Sequence, residues 1–476
     1  MWSVVVVVWA VVLGRLAAAA TPYVCYASDQ DPYLQFGTRT AYEFSTGRTA
    51  GPAGQSDVRG IPGCKPLMVW MVARHGARNP NGAEAERLRQ ITKLRDEINR
   101  NYEERNSKLC PTDAQNLQQW QYTFNSAEED GISQQGREDM NLMGKRVRTK
   151  FEELFSAQEY TEQSYVFKHT NTQRAKISAE SFAEGLFPST QVRFQSNGNN
   201  DTLLKSYHNC LAWEGLVDGN PETLRPMEKF LALPEFNRMV YEVSQRLGFR
   251  YNLTQDTILY AYDICRYEKA NNIKIVSPWC ALFTPDDLKL IEYAEDLRFY
   301  HNTGYGNSIN LRIGCPLVQD MMYRFRNVAN GVADQPSGVF YFTHLTSVMT
   351  LLARLGVAND QPAPSYNNYA SQTRRQWKTS ALAPFGSNLM AVFFNCTGSS
   401  GSVDQKVVFY LQESVLPMPG CDAGLCTWDF VREQFMPLAD ECNVNRTCAG
   451  KDAAAHATLS VAALIISLVA TLVSRF

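Results

Sequence analysis

A short segment of the sequence, residues 74–80, combines residue types that suit phosphoryl transfer. It follows directly after the apolar run 67–72, and within it His75 is flanked by Arg74 and Arg78. A neutral imidazole can attack phosphorus and form a phosphohistidine. A guanidinium group can bind two phosphate oxygens at once, and it stays charged at any working pH. The segment therefore supplies a nucleophile and two phosphate clamps. A solvent-facing basic loop is the alternative, and the apolar strand that delivers the segment argues against it.

These side chains need a framework that holds them at one edge of a sheet. The run 67–72 predicts a buried, parallel strand, and polar residues that follow buried strands lie where open α/β sheets bind ligands. Strand and helix patterns alternate along the chain, which predicts an α/β three-layer sandwich with a central, mostly parallel sheet and an inserted α-helical lobe. Further strands are predicted at 165–168, 339–343, 389–395 and 407–412, helices at 83–109, 136–155, 175–186 and 347–355, and the lobe at about 80–165 and 205–300.

The composition limits the classes of function. The 476 residues are 45% hydrophobic, which is ample for a large core, and the formal net charge is -2. This balance excludes a general binder of nucleic acid or acidic membranes, so an anionic ligand must be held by a few well-placed Arg and Lys side chains. No tight C-x-x-C pair occurs, so a zinc site has little support. We expect neither a metal nor another cofactor.

Twelve cysteines and four glycosylation sequons indicate an exported protein. An even cysteine count predicts disulfides, although the sequence does not fix their pairing. Two close pairs could form local loops, Cys421–Cys426 and Cys442–Cys448. The Asn395 sequon contains Cys396, so a disulfide there could block glycosylation. The predicted acceptors are Asn200, Asn252, Asn395 and Asn445.

Both ends of the chain carry targeting patterns. Residues 1–20 hold an apolar core and a run of alanines, which predicts a signal peptide, with an uncleaved N-terminal anchor as the alternative. Residues 446–476 pass from small and polar residues to an apolar tail, which predicts GPI attachment at Gly450 or Asp452, with a transmembrane helix as the alternative. We therefore expect residues 21–445 to form the folded domain, exported through the secretory pathway to the cell surface.

The pattern Arg-His-Gly-x-Arg-x-Pro after the first strand resembles that of the histidine acid phosphatases. From about residue 22 to 430, the chain resembles one branch of them, the multiple inositol polyphosphate phosphatases. Residues 168–174, Lys-His-Thr-Asn-Thr-Gln-Arg, resemble the family's second clamp segment, and the match implies that Arg174 is the third pocket arginine. Lys168 is predicted to contact the substrate as well. A solvated arginine at the helix entry and a surface lysine are the respective alternatives. Further branch-like stretches lie at 178–187, 304–320, 384–389 and 417–421.

His344 follows the predicted strand 339–343. The resemblance implies that this histidine contacts the transferred phosphate and that a nearby carboxyl group protonates the leaving oxygen, but Thr346 stands at that position. General acid catalysis typically supplies about 10²–10⁴-fold, and a threonine hydroxyl cannot release a proton usefully near neutral pH. Three outcomes stay open. Another carboxyl group reaches the leaving oxygen, water or a substrate phosphate supplies the proton, or the protein binds phosphates and turns them over slowly.

The residues and the resemblance together predict an enzyme. Neutral His75 attacks the phosphorus, and water then hydrolyses the phosphohistidine. The transferred phosphate is held by Arg74, Arg78, Arg174 and His344. The resemblance implies inositol polyphosphates, from InsP6 and InsP5 to lower forms, and 2,3-bisphosphoglycerate as substrates.

Two other functions remain as alternatives. One is a surface-anchored protein that binds phosphates with weak or no catalysis, which Thr346 favours. The other is a general acid phosphatase with little preference for inositol. The expected partners are small polyanionic phosphates and the membrane that holds the anchor, not nucleic acid, and the sequence leaves the oligomeric state open.

Overall fold

A computed structural model describes residues 25–45, 61–124, 129–155, 160–188, 190–397 and 402–449. The predicted signal peptide at 1–20 and the attachment residues Gly450 and Asp452 lie outside these ranges, so both stay predictions. None of the helices within the described ranges is long and apolar enough to cross a membrane.

Eight strands of the described chain form one sheet at the centre of the molecule. They are β1 (Cys64–Arg74), β2 (Tyr165–His169), β3 (Phe194–Gln195), β4 (Gly338–Thr343), β5 (Asn388–Thr397), β6 (Val403–Leu411), β7 (Ser414–Val415) and β8 (Leu425–Thr427). The strand order is β3-β2-β4-β1-β5-β6-β7, and β8 pairs with β6. The predicted strands all form, with ends that differ by a few residues.

The sheet is mixed. The strands β3, β2, β4 and β1 pair in parallel, whereas β5, β6, β7 and β8 join it by antiparallel pairing. The predicted α/β class is confirmed, and the predicted parallel order holds for the half of the sheet that leads into residues 74–80. Residues 398–402 between β5 and β6 are too few for the crossover that parallel neighbours need, so this half turns back as a hairpin.

The predicted helices are also present, although the segment predicted as helical at 83–109 forms two helices and its helical part ends at Glu103. The α-helices are α1 (Tyr42–Ser45), α2 (Gly82–Arg89), α3 (Ile91–Glu103), α4 (Pro111–Gln119), α5 (Gln134–Lys150), α6 (Glu152–Phe155), α7 (Gln173–Leu186), α8 (Leu211–Trp213), α9 (Arg225–Leu231), α10 (Pro234–Arg246), α11 (Gln255–Asn271), α12 (Pro285–Asn302), α13 (Ser308–Ile313), α14 (Cys315–Ala329), α15 (Leu345–Arg354), α16 (Thr379–Leu382), α17 (Trp428–Asp440) and α18 (Val444–Cys448). Hydrogen bonds from N-cap side chains fix the first residues of several helices. At α5, for example, the Ser133 hydroxyl accepts from the Gly136 backbone N–H at 3.1 Å.

Helices cover both faces of the sheet and complete the three-layer sandwich. Successive side chains of a strand point to opposite faces. Along β1, Trp70 therefore packs in the core on the side of α14, α15 and α17, while Met71 packs on the side of α5, α6 and α7. Both faces of β1 are apolar, as the continuous run in the sequence predicts.

A helical lobe packs beside the sandwich. Its helices α2–α4 and α9–α12 share one apolar core that includes Ile258, Trp279 and Leu297. They fall within the segments predicted for the lobe, about 80–165 and 205–300. The helices α5 and α6 of the first segment pack on the sheet instead.

Six disulfides use all twelve cysteines, which fits the secretory pathway. The predicted local loop Cys421–Cys426 is confirmed. The predicted loop Cys442–Cys448 is wrong, because α17 packs against α14 and brings Cys442 to Cys315 at the start of α14. The other bridges are Cys25–Cys110, Cys64–Cys396, Cys210–Cys448 and Cys265–Cys280.

The four sequons differ in accessibility. Asn200, Asn252 and Asn445 are exposed, so an attached glycan meets no steric obstacle there. Asn395 lies within β5, paired with Lys65 of β1 and next to the Cys64–Cys396 disulfide. The disulfide that could block glycosylation of this sequon is thus present, and Asn395 as an acceptor stays a prediction.

Candidate active site

The site forms where β1 and β4 end side by side. The two strands are parallel and pair Arg74 with Thr343, so the residues that follow both strands reach the same edge of the sheet. The His75 backbone N–H donates to the Thr343 carbonyl at 3.0 Å. The rings of His75 and His344 then lie with their centroids 5.6 Å apart. Two histidines that are 269 positions apart in the sequence thus share one pocket.

His75 is buried and held in one orientation, with 4% of its surface exposed. Its Nδ1 atom lies 2.9 Å from the Gly76 carbonyl oxygen. That oxygen can only accept, so Nδ1 carries the proton and Nε2 keeps a free lone pair. Burial, and then the charge of Arg74, hold the His75 pKa well below its ordinary value. The imidazole is therefore neutral and nucleophilic at Nε2 across the physiological pH range.

Gly76 is required by the close packing behind this histidine. A Cβ atom at this position would lie 2.5 Å from the Gly136 carbonyl oxygen at the start of α5. The Gly76 N–H donates to the Ser178 hydroxyl at 3.0 Å, and that hydroxyl donates to the Arg174 carbonyl at 2.7 Å. The helix α7 thus holds the loop of His75 and the backbone of Arg174 in one fixed relation.

Arg74 is anchored from behind. Its Nη1 donates to the carbonyls of Thr38 at 2.5 Å and Ala383 at 2.6 Å, and its guanidinium lies over the Phe385 ring, 4.5 Å from the centroid. The buried Nε finds no hydrogen-bond partner in the part of the chain that the structure describes. Two backbone carbonyls and an aromatic face therefore orient a cation without neutralising it.

Arg78 and Arg174 face each other across a carboxylate. The Nε atom of Arg78 lies 3.3 Å from the Asp130 carboxylate, and Arg174 Nη1 donates to its other oxygen. Arg78 also donates to Glu84 at 3.0 Å. Arg174 Nε is buried and unpartnered among the described residues. The Asp130 carboxylate thus occupies the position between the two guanidiniums at which an anionic group of a ligand would bind both of them.

His344 is the N-cap residue of α15. Its Nε2 lies 3.1 Å from the Thr170 hydroxyl, and Thr170 is itself fixed by its N–H donating to the Phe342 carbonyl. Burial, and then the charges of Arg174 and Lys205, lower the His344 pKa to about 3. This imidazole is neutral as well, and it can offer one hydrogen bond to a bound phosphate.

Lys168 is buried on β2, and its ammonium lies 3.4 Å from the Asp201 carboxylate. The fold thus pairs this lysine with a carboxylate, and its contact with substrate stays a prediction. Arg74, His75, Arg78, Arg174 and His344 are brought together as predicted.

Thr346 lies in the first turn of α15, two residues after His344. The next residue, Ser347, donates its hydroxyl to the Leu204 carbonyl at 2.5 Å, so the turn between Asp201 and Cys210 lies against the start of α15. The position from which a carboxyl group was expected to act carries the hydroxyl group of Thr346.

Three basic or phenolic residues of the site were missed by the sequence analysis. Arg39 pairs with Glu84, stacks over Tyr267 at 4.9 Å from the ring centroid, and keeps a buried, unpartnered Nε within the described structure. Lys205 carries a positive charge that helps to lower the His344 pKa. The third is Tyr207, whose pKa responds to the charge of Arg174. None of the three lies in a recognisable motif, and only the fold brings their segments to the pocket.

Comparisons with known proteins agree with this geometry. The family model described as histidine phosphatase superfamily (branch 2) matches residues 67–412. The Drosophila melanogaster protein named multiple inositol polyphosphate phosphatase 1 is 33% identical over 437 residues, covering 89% of this chain and 90% of that protein. The Homo sapiens protein of the same name is 27% identical over 446 residues, again covering 89% and 90%.

Solved structures show the same architecture. The phytase from D. castellii aligns with a TM-score of 0.65 at 16% identity, covering 83% of each chain. The apo form of the Bifidobacterium longum multiple inositol polyphosphate phosphatase aligns with a TM-score of 0.58 at 13% identity, covering 82% of this chain and 94% of that one. At these identities the likeness concerns the fold alone.

The chain therefore belongs to the histidine phosphatase superfamily, branch 2. The predicted family and the predicted class of enzyme, a phosphatase, are confirmed.

Proposed function

We propose that the protein removes phosphates from inositol polyphosphates, including InsP6, InsP5 and lower forms, and that it also accepts 2,3-bisphosphoglycerate. The observation that carries this proposal is the neutral, buried His75, whose pKa is lowered by burial and by the charges of Arg74 and Arg174, with Arg78 bound to the same Asp130 carboxylate as Arg174. The relatives named multiple inositol polyphosphate phosphatase 1 support the substrate class. A substrate with several phosphates also suits a pocket in which Arg39 and Lys205 extend the positive charge beyond the reacting group.

The proposed reaction has two steps. His75 Nε2 attacks the phosphorus, the bond to the leaving oxygen breaks, and a phosphohistidine forms. Water then attacks the phosphorus, and the electron pair of the P–N bond returns to Nε2. Arg74, Arg78 and Arg174 hold the equatorial oxygens and stabilise the charge that develops on them. His344 donates a hydrogen bond to the same group. The arginine side chains supply the positive charge that this stabilisation requires.

Replacing His75 with Ala tests the nucleophile. We expect phosphate release from InsP6 by the purified ectodomain, residues 21–450, to fall by at least about a thousandfold, because the covalent step is lost. Binding of InsP6, measured by calorimetry, should persist because the arginines remain. Phosphate release is followed from pH 4 to 8, with circular dichroism as the control for folding. Turnover by His75→Ala at the wild-type rate would exclude the mechanism.

A second function is favoured by one residue, Thr346, which lacks the carboxyl group expected at its position. A surface protein that binds inositol phosphates without hydrolysing them would retain the arginines and need no acid. The same experiment separates the two functions. Wild-type protein that binds InsP6 and releases no phosphate at any pH would establish the binding protein.

We also propose that the mature chain is held at the cell surface by a GPI anchor at Gly450 or Asp452. The six disulfides and the exposed sequons support export, and the anchor rests on the sequence pattern of residues 446–476 alone. Cells that express the full chain should release it when treated with a phospholipase C specific for phosphatidylinositol. Retention of the protein on treated cells would favour the transmembrane alternative.

A further inference from the structure

We propose that Asp130 is an internal anion of the clamp formed by the Arg78 and Arg174 guanidiniums. Its carboxylate occupies the clamp when no ligand is bound, and the phosphate of the substrate displaces it. The inference rests on the proposed phosphatase function and names a residue that sets the affinity of that site for phosphate. One Asp130 oxygen lies 3.3 Å from Arg78 Nε, and the other accepts a hydrogen bond from Arg174 Nη1.

The Asp130 carboxylate is an incomplete ligand for this clamp. It makes one contact with each guanidinium, whereas an arginine can present two parallel N–H donors to an anion. The Nε atom of Arg174 stays buried and unpartnered among the described residues. A phosphate group has more oxygens than a carboxylate and, as a dianion, more negative charge. It can therefore satisfy donors that Asp130 leaves open.

The Asp130 side chain also has room to leave the clamp. Its backbone is fixed beside the clamp loop, since the Asp130 N–H donates to the Pro80 carbonyl at 3.0 Å and the Asn79 N–H donates to the Gly131 carbonyl at 2.9 Å. The side chain, in contrast, is 38% exposed. Within the described structure, the contacts of its carboxylate are those with the two arginines of the clamp. Rotation about its own side-chain bonds can therefore move the carboxylate into solvent while the turn stays in place.

Glu84 shows by contrast how a supporting carboxylate is held. It also contacts Arg78, at 3.0 Å, but only 10% of its side chain is exposed. It accepts from the Asn81 backbone N–H at 2.9 Å and from the Tyr267 hydroxyl at 2.8 Å, and it closes a capping box at the start of α2. These bonds keep Glu84 against the arginine whether or not a ligand is bound. The described residues offer Asp130 only the two guanidiniums that a phosphate would use.

An internal carboxylate lowers the apparent affinity for every anion that needs the clamp. The apparent dissociation constant rises by the inverse of the fraction of the clamp that is free, so a clamp that Asp130 fills about nine-tenths of the time binds phosphate about tenfold more weakly. Monoanions such as acetate bring no more charge than Asp130 and must compete with a tethered carboxylate at high effective concentration. A phosphate dianion displaces the carboxylate, and its return after hydrolysis helps orthophosphate to leave.

Asp130→Asn tests the displacement. Asparagine tolerates the left-handed backbone of this position, where φ is 56°, and it keeps the size of the side chain without the charge. The purified variant should bind orthophosphate about tenfold more tightly than the wild type in isothermal titration calorimetry. The inhibition constant of orthophosphate against p-nitrophenyl phosphate hydrolysis should fall by the same factor. Acetate should inhibit the variant competitively at concentrations that leave the wild type unaffected.

Two control variants separate displacement from a general change of charge. Glu84→Gln removes a negative charge at the same arginine and should weaken orthophosphate binding, because it removes a support. Asp286→Asn removes the partner of Lys289 on the exposed start of α12 and should leave binding unchanged. The role of Asp130 would be overturned if Asp130→Asn bound orthophosphate no more tightly than the wild type, or if Glu84→Gln tightened binding equally. A wild type that binds orthophosphate but hydrolyses no ester would instead refute the proposed phosphatase function.

Discussion

At the scale of single residues, the site is defined by two neutral histidines set among basic side chains. His75 and His344 lie among guanidiniums and an ammonium, and both imidazoles remain neutral because burial and these charges lower their pKa values. An anionic phosphate compensates the same charges when it binds. The protein therefore keeps its nucleophile deprotonated in the free state without needing a carboxylate beside it.

The charge of Arg174 gives a prediction for the pH profile. His75 must be neutral for attack, and its pKa is lowered, so kcat/KM should persist well below pH 6.5 and fall only as the pH drops through the lowered value. Arg174→Gln removes one of the charges that lower it, so the acid limb should move to higher pH. The activity should also fall by about tenfold or more. Profiles with p-nitrophenyl phosphate measure both effects.

The control for this profile lies on the same helix. Lys176 is exposed on α7 and pairs with Glu180 at 3.8 Å, so Lys176→Gln removes an equal charge away from the pocket. Its acid limb should coincide with that of the wild type. An unchanged limb in Arg174→Gln would show that the arginine does not set the protonation of His75.

At the scale of elements, the sequence predicts what local patterns encode. The apolar runs of β1 and β4 end in polar residues, and since parallel strands end at one edge, His75 and His344 could be expected together. The start of α7, which follows β2, likewise places Arg174 at this edge of the sheet. These three elements account for all the site residues that the sequence analysis placed correctly.

The elements that were missed have no local pattern. Arg39 is the last residue of a short 3-10 helix at residues 37–39, and Tyr207 lies in the turn 201–210, where neither helical nor strand periodicity exists. Their positions depend on tertiary contacts, such as the Thr343 hydroxyl bound to the Leu204 carbonyl. The antiparallel half of the sheet was missed for a similar reason, because strand direction depends on which neighbour a strand finds.

At the scale of the whole molecule, disulfides join parts of the chain that lie far apart in the sequence. Cys64–Cys396 crosses between β1 and β5 over 332 positions. Cys210–Cys448 ties the end of the turn that carries Lys205 and Tyr207 to the last described helix, over 238 positions. Since this bridge fixes one side of the pocket, it couples global stability to the geometry of the site.

Removing Cys210–Cys448 by replacing both residues with Ala tests this coupling. By loop entropy, a bridge over 238 positions stabilises the fold by up to about 5 kcal/mol, whereas Cys421–Cys426, over 5 positions, contributes about 2 kcal/mol. The long-loop variant should therefore show the larger decrease in the free energy of unfolding, measured by denaturant titration. It should also lose activity on InsP6, because the turn that carries Lys205 is released. The Cys421→Ala, Cys426→Ala variant is the matched control, and equal effects of the two changes on stability and on activity would show that the long bridge does not organise the pocket.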